Sequence, residues 1–338
     1  MNLPRGADFV PTWSLRNGHV QTMLSSSGVR RFLLPQAARR VLEGAQAMVV
    51  DGGDGVRLTG AFTAQHGLPR ARGLAVLFHG WEGSIDSTYV LQTGSRLLAD
   101  GWDVFRLNFR DHGDSYPLNE ALFHSCRIDE VVYALADIAR RWPARPMCLA
   151  GFSLGGNFAL RAALAAPAHG IALRYVLAIC PIIDPAAGLF SLEKGASWIY
   201  QAYFMHKWRR SLRAKQAAFP DHAYFEPAEL KQHLRGLTDA MVRRHTEYAS
   251  LDAYLDGYSL AGNALVHMPI PATILTSRDD PVIPVAEFER LTLPANVELD
   301  IARYGGHCGF IRGYDMTSFS DDYITARFNA VAEESARS

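Results

Sequence analysis

Three side-chain types that together can carry out nucleophilic acyl transfer occur in this chain in settings that suit each of them. Ser153 lies in "LAGFSLGGNFAL", two residues from Gly151 on one side and from Gly155 on the other. A serine forced into a sharp turn with its hydroxyl exposed needs such neighbours, because bulky side chains would block both the bend and the approach. The pattern also fits a glycine-rich structural turn, so it decides nothing alone. A serine hydroxyl is a weak nucleophile and needs a base held in place by a third group. His307, in "YGGHCGF", sits in a glycine-flanked loop where an imidazole can swing between an acid and a serine. The other histidines lack that setting and read as surface or packing residues. The acid comes from "TSRDDPVIP", which offers Asp279 and Asp280. A carboxylate there would hold the histidine's tautomer and orientation. Finally, "HGWEGS" (79–84) is a turn that could place the Trp81 amide near the serine, with the Leu154 amide as a second donor. Two such donors would form an oxyanion hole. His79 itself reads as structural.

These residues need elements that bring them together. "GLAVLFHG" is a near-continuous apolar run of the kind a buried parallel strand shows. "DVFRLNF", "PMCLAGF", "RYVLAICP", "PATILTS" and "VELDIARY" read as further strands. "TYVLQTGSRLLAD", "IDEVVYALADIARRW", "NFALRAALAA" and "SFSDDYITARFNAVAEE" carry helical spacing between or after them, and Gly101 is a plausible C-cap. "AQAMVVDGGDGVRLTGAFTA" reads as a hairpin whose "DGGDG" is a turn. Alternating strands and helices predict an α/β fold with a mostly parallel sheet and helices on both faces. Ser153 then falls at a strand–turn–helix junction, the context that makes its glycine spacing meaningful. The helix that follows turns its positive N-terminal end toward the site.

The expected organisation is an arm over residues 1–46, a core over 47–184 and 268–338, and a helical insertion over 185–267. The insertion breaks the strand rhythm and is dense in aromatic and basic residues, as in "ASWIYQAYFMHKWRRSLRAKQAAF". It is expected to form a cap over the carboxyl ends of the strands, where open α/β sheets bind ligands. Its Phe190, Trp198, Tyr200, Tyr203, Phe204 and Trp208 could wall an apolar acyl chain or simply pack the cap. "HKWRRSLRAK" is expected to be a solvated helix face, the alternative being a basic patch for peripheral contact with anionic lipid or for a carboxylate-bearing substrate. The arm reads as irregular.

Composition narrows the partners. The chain has 338 residues, with Lys+Arg and Asp+Glu both 34, so no global basic field attracts nucleic acid. The N-terminus lacks an unbroken apolar h-region, and no stretch is apolar and long enough to span a membrane. Four scattered cysteines without a CxxC pair suit a reducing compartment, and a cytoplasmic location is expected. No HExxH, Walker or dinucleotide motif occurs, so neither a metal nor a cofactor is expected. "HSCRID" (124–129) matches an HxxxxD pattern but falls at a helix start, where Asp129 has a plain dipole role.

"GFSLGGN", "HGWEGS", "SRDDPVIP", "GGHCGF" and the early "NGHVQTML" together resemble the YheT-like α/β-hydrolases, relatives of the eukaryotic abhydrolase-domain lipases and esterases. The order serine, acid, histidine is the one that fold uses. The resemblance covers nearly the whole chain. It implies an α/β-hydrolase fold and a serine esterase or lipase-type activity on carboxylic esters, with medium-chain or lipid-like acyl groups. Ser153, Asp280 and His307 carry over as the triad. Asp280 is chosen because an acid followed by "PVIP" is usual at this turn in related hydrolases, which leaves Asp279 as a solvated or turn-capping residue. Two stretches depart from the family pattern. "NFRDHGDS" stands where relatives have Arg-Gly followed by small residues, and the cap lacks an acidic "FDD". The competing expectations are an acyltransferase using the same acyl-enzyme and a low-turnover ligand-binding homologue.

Overall fold

The computed structural model describes residues 3–25, 27–193 and 198–337. Three short helices come first: α1 (Gly18–Ser25), α2 (Gly28–Leu33) and α3 (Pro35–Leu42). The arm is therefore not irregular. The chain continues through β1 (Gln46–Asp51), β2 (Arg57–Thr63), β3 (Leu74–Phe78), α4 (Thr88–Ala99), β4 (Asp103–Leu107), α5 (Ile128–Arg141), β5 (Met147–Phe152), α6 (Leu154–Ala165) and β6 (Leu173–Ile179). Four helices follow, α7 (Pro185–Leu192), α8 (Trp198–Ala218), α9 (Leu234–His245) and α10 (Leu251–Asp256). The chain closes with β7 (Ala272–Ser277), α11 (Val285–Glu289), β8 (Val297–Ala302) and α12 (Phe319–Arg337).

Among the described residues, eight strands form one sheet in the order β1-β2-β4-β3-β5-β6-β7-β8. Only β1–β2 and β2–β4 pair antiparallel, and the rest are parallel. Every residue of β3, β4, β5 and β7 is buried, which is why these strands read as apolar runs rather than alternations. The period of two sorts their side chains onto two faces. Val76, Phe78, Leu107 and Leu149 join one core with Val131, Leu135 and Phe158 of α5 and α6. Ala75, Leu77, Val104 and Ala150 join another with Val90, Leu97 and Phe328 of α4 and α12. The helix α4 ends at Ala99 with Asp100 as its C-cap, and Gly101 follows with φ +88°, a left-handed conformation that glycine adopts at low cost.

The residues between β6 and β7 contain α7–α10 and, among those described, no strand. Tyr200, Trp208, Leu237 and Met241 of these helices belong to the same apolar cluster as the α5–α6 face. The basic run on α8 is not uniformly solvated, contrary to expectation. Lys215 is 1% exposed and its Nζ lies 2.7 Å from Asp111 Oδ1, while Arg209 donates to the carbonyls of Leu230 and Gln232. A long lysine stem can cross a helix–core boundary and bury its ammonium when a carboxylate waits there. That partner, 104 residues away in sequence, is invisible to helical periodicity.

Candidate active site

Each candidate residue follows the carboxyl end of a parallel strand: His79–Trp81 after β3, Ser153 after β5, Asp279–Asp280 after β7 and His307 after β8. Ser153 has φ +54° and ψ −119°, a conformation that L-residues rarely hold and that the surroundings must enforce. Its amide donates to Ile179 O at 2.8 Å. The glycine spacing has a concrete cause. A Cβ on Gly151 would lie 2.1 Å from Gly155 O, and one on Gly155 would lie 2.3 Å from His79 O. The turn therefore closes only without those carbons. Gly156, with its nearest neighbour at 3.1 Å, is less constrained.

The three side chains converge. Ser153 Oγ lies 2.8 Å from His307 Nε2, and His307 Nδ1 lies 2.9 Å from Asp280 Oδ2. An ionised carboxylate only accepts, so Nδ1–H donates to Asp280 and Nε2 is left to accept the serine proton. Burial opposes charging the His307 ring, but the Asp280 charge, the Cys308 sulfur and the bond to Asp280 outweigh it and raise its pKa to about 9. Asp280 Oδ1 accepts from the amides of Val282 and Ile283 at 2.8 and 3.0 Å, which fixes the carboxylate. Asp279 takes another position: its Oδ1 accepts from Gly306 N at 2.9 Å and braces the histidine loop.

The "HGWEGS" turn abuts the serine. A Cβ on Gly80 would sit 3.3 Å from Ser153 Cβ, and Gly80 N donates to Tyr89 Oη at 2.9 Å. The Trp81 and Leu154 residues both line the cavity over Ser153. The Leu154 amide opens α6 and so has no partner within the helix. His79 donates from Nδ1 to Gly80 O at 2.7 Å and accepts at Nε2 from Phe109 N at 3.2 Å. Both its ring nitrogens are committed to backbone. Burial pushes its pKa well down, with the nearby His112 adding to the effect.

The divergent stretch "NFRDHGDS" supports this turn. His112 Nε2 accepts from Glu82 N at 3.2 Å, and Asn108 Oδ1 accepts from Ile85 N at 2.9 Å. The Trp81 ring packs on Phe204 and Trp208 of α8, with centroids 5.5 and 5.4 Å away, so the helix rests directly on the turn.

The "NGHVQTML" stretch, whose sequence alone implies no role in the site, holds the histidine loop. Thr22 Oγ1 accepts from His307 N at 2.8 Å and donates to Gly18 O at 2.6 Å. Gln21, fully buried, donates to the carbonyls of Leu15 and Ile311 and accepts from Ile311 N. A Cβ on Gly18 would lie 1.9 Å from Asp279 O, and one on Gly306 would lie 2.3 Å from Gly18 O. The pieces touch backbone to backbone. His19 Nδ1 meets Tyr200 Oη at 2.8 Å, tying the arm to α8 as well. The motif's glycine and its polar residues were visible signals, but no local rule connects them to a loop 285 residues later.

Among the described residues, Cys180, His307 and Cys308 place possible ligand atoms within 4.8 Å of one another. Both His307 nitrogens already face Asp280 and Ser153, and the thiols donate to the carbonyls of Gly306 and Ile179, so the group packs the loop.

A cavity of about 530 Å³ opens above Ser153. Tyr200, Tyr203, Phe204 and Trp208 line it, with Leu189, Leu192 and Met241. Phe190 does not: it is 51% exposed, because α7 turns Gly188, Leu189 and Leu192 inward instead. The Trp198 side chain lies outside the described residues. No described helix is long and apolar enough to cross a membrane.

Residues 75–316 match the alpha/beta hydrolase family. The chain is 28% identical over 317 residues to "Putative esterase YheT" of Escherichia coli K12, covering 91% of this chain and 88% of that protein. Among solved structures it is similar to the 2,6-dihydroxy-pseudo-oxynicotine hydrolase, with a TM-score of 0.56 at 16% identity over 94% of this chain and 81% of that one. It is also similar to the Pyrococcus furiosus esterase Pf2001, with a TM-score of 0.52 at 17% identity over 99% of this chain and 97% of that one. At these identities the two structures speak for the fold.

Proposed function

The chain belongs to the α/β-hydrolase family, and on that premise we propose that it is a serine esterase cleaving carboxylic esters through an acyl-enzyme. The observation that carries this reading is the continuous chain from Ser153 Oγ through His307 to Asp280, at 2.8 and 2.9 Å. His307 Nε2 takes the Ser153 proton as the oxygen attacks the ester carbonyl. The amides of Trp81 and Leu154 receive the developing oxyanion, and Asp280 stabilises the imidazolium. The same imidazolium then protonates the leaving alcohol. Water, deprotonated by His307, releases the acid and restores Ser153.

The helices over residues 185–267 act as a cap whose aromatic wall receives an apolar acyl chain of medium length. The cavity of about 530 Å³ fits a ligand of that size. Two buried free thiols beside the catalytic histidine suit a reducing, cytoplasmic setting. A fluorophosphonate probe is expected to label the wild-type protein at Ser153 and not Ser153→Ala. Failure to label, together with no turnover of nitrophenyl esters, overturns the reading.

A further inference from the structure

We propose that the arm and α8 together form a surface that docks on an anionic lipid bilayer, with the mouth of the cavity turned toward the membrane. Large apolar side chains are exposed chiefly around that mouth. Met23, Ile199 and Tyr203 line the cavity, yet they are 61%, 48% and 47% exposed. Gly28, which opens α2, also lines it, and Val29, Phe32 and Leu33 follow on that helix, all exposed, Phe32 at 81%. Arg30, between them, is fully buried beside Asp321, so the opposite side of α2 is the one that faces the protein. His19 stacks on Tyr200, with ring centroids 5.8 Å apart at 3°, so arm and α8 adjoin. Outside the arm and the helices between β6 and β7, only Val49, Leu68, Tyr133 and Tyr314 are large apolar residues exposed among those described.

An exposed apolar patch of this kind marks a partner, and the charge around it says which. The chain as a whole has as many bases as acids, but residues 9–42 carry five arginines and no Asp or Glu. The α8 helix carries five Lys and Arg residues and again no acid. The two segments beside the cavity mouth are therefore basic within a neutral protein. On α8 the exposed residues Ile199, Tyr203, His206, Arg210 and Arg213 recur at steps of three and four, which places them along one face. Arg31, Arg210 and Arg213 are exposed and form no ion pair among the described residues.

A bilayer with anionic headgroups matches both properties. Phe32, Met23, Ile199 and Tyr203 enter the acyl boundary, and the arginines meet lipid phosphates. A second copy of the chain fits poorly, because a two-fold contact through this patch sets basic segment against basic segment. Docking does not depend on the ester chemistry. Under the esterase reading it presents lipid-like esters directly to the cavity above Ser153, without passage through water.

The test is co-sedimentation of the full-length protein with vesicles of phosphatidylcholine alone and of phosphatidylcholine with added phosphatidylglycerol. Wild-type protein is expected to bind the anionic vesicles more tightly, and to lose affinity as salt is raised. Arg210→Gln and Arg213→Gln are each expected to weaken binding about fivefold. Phe32→Ser is expected to weaken it about tenfold or more, as one apolar side chain leaves the interface. These three side chains are exposed and lie outside the cavity lining, so Tm and the turnover of a water-soluble nitrophenyl ester should match wild type. Absence of binding to anionic vesicles overturns the proposal, and so does binding that the three variants leave unchanged. A wild-type dimer in light scattering that Phe32→Ser converts to monomer also overturns it, since the patch then belongs to a second copy. Vesicle binding by a protein whose Ser153 is not labelled by fluorophosphonate supports docking and counts against the esterase reading alone.

Discussion

Asp280 gives one carboxylate oxygen to His307 and the other to the amides of Val282 and Ile283, whereas Asp279 holds Gly306. The two neighbours should therefore respond differently to the same change. Asp280→Asn is expected to lower kcat on the order of 10⁴-fold, because an amide can donate to Nδ1 and select the wrong tautomer. Asp279→Asn keeps an oxygen that can accept from Gly306 and should retain most activity. Steady-state kinetics on one ester decides between them. The pH profile is a second readout at this scale. His307 must be neutral to accept a proton, and its pKa is raised to about 9. The acid limb of kcat/KM is thus expected above the ordinary imidazole range, with rate rising as pH approaches 9. Removing the Asp280 charge should move that limb to lower pH.

Elements meet the site through a few buried polar links. The helix α8 is latched by Lys215 to Asp111, and its Ser211 donates to Glu82 Oε2 at 2.5 Å. Removing one partner of a buried pair leaves the other uncompensated, so Lys215→Met should destabilise by about 3–5 kcal/mol. Adding Asp111→Asn should recover part of that in denaturant unfolding. Burial raises the Glu82 pKa to about 7, while the Ser211 bond and Lys207 oppose it. The folded state therefore binds this proton more tightly than the unfolded state does. Stability linked to Glu82 is highest below pH 4.5 and falls as pH rises through 7. Glu82→Gln should flatten that part of the Tm-against-pH curve, measured by calorimetry. The nucleophile turn is an element-scale constraint too. Gly155→Ala must push back the His79 carbonyl, and activity should collapse in any variant that still folds.

Across the whole molecule, the N-terminal arm works as part of the histidine loop. Phe9 is buried against Phe310 and Phe319, Gly6 N donates to Asp300 Oδ2, and Gln21 and Thr22 satisfy loop backbone. Gln21→Ala leaves the Ile311 amide and two carbonyls unpaired in a buried setting, at about 1–3 kcal/mol for each unsatisfied group. Both Tm and kcat are expected to drop, with KM less affected. A kcat equal to wild type in a folded Gln21→Ala protein would show that the loop holds its histidine without the arm. The same geometry links the arm to α8 through His19 and Tyr200, so histidine loop, arm and α8 meet around one cavity.

The fold class and the positions of Ser153, His307 and the acid pair were legible in the sequence because each depends on local rules. Buried parallel strands must be apolar throughout, and a turn whose backbones touch must be glycine. The order of the motifs along the chain added the rest. Choosing Asp280 over Asp279 took family likeness, since both follow the same strand and only a third dimension separates the one facing His307 from the one facing Gly306. The arm's helices and the Lys215 latch were not legible. Their meaning lies in contacts made across long stretches of chain, and sequence periodicity reports only which way a residue faces, not what it meets there.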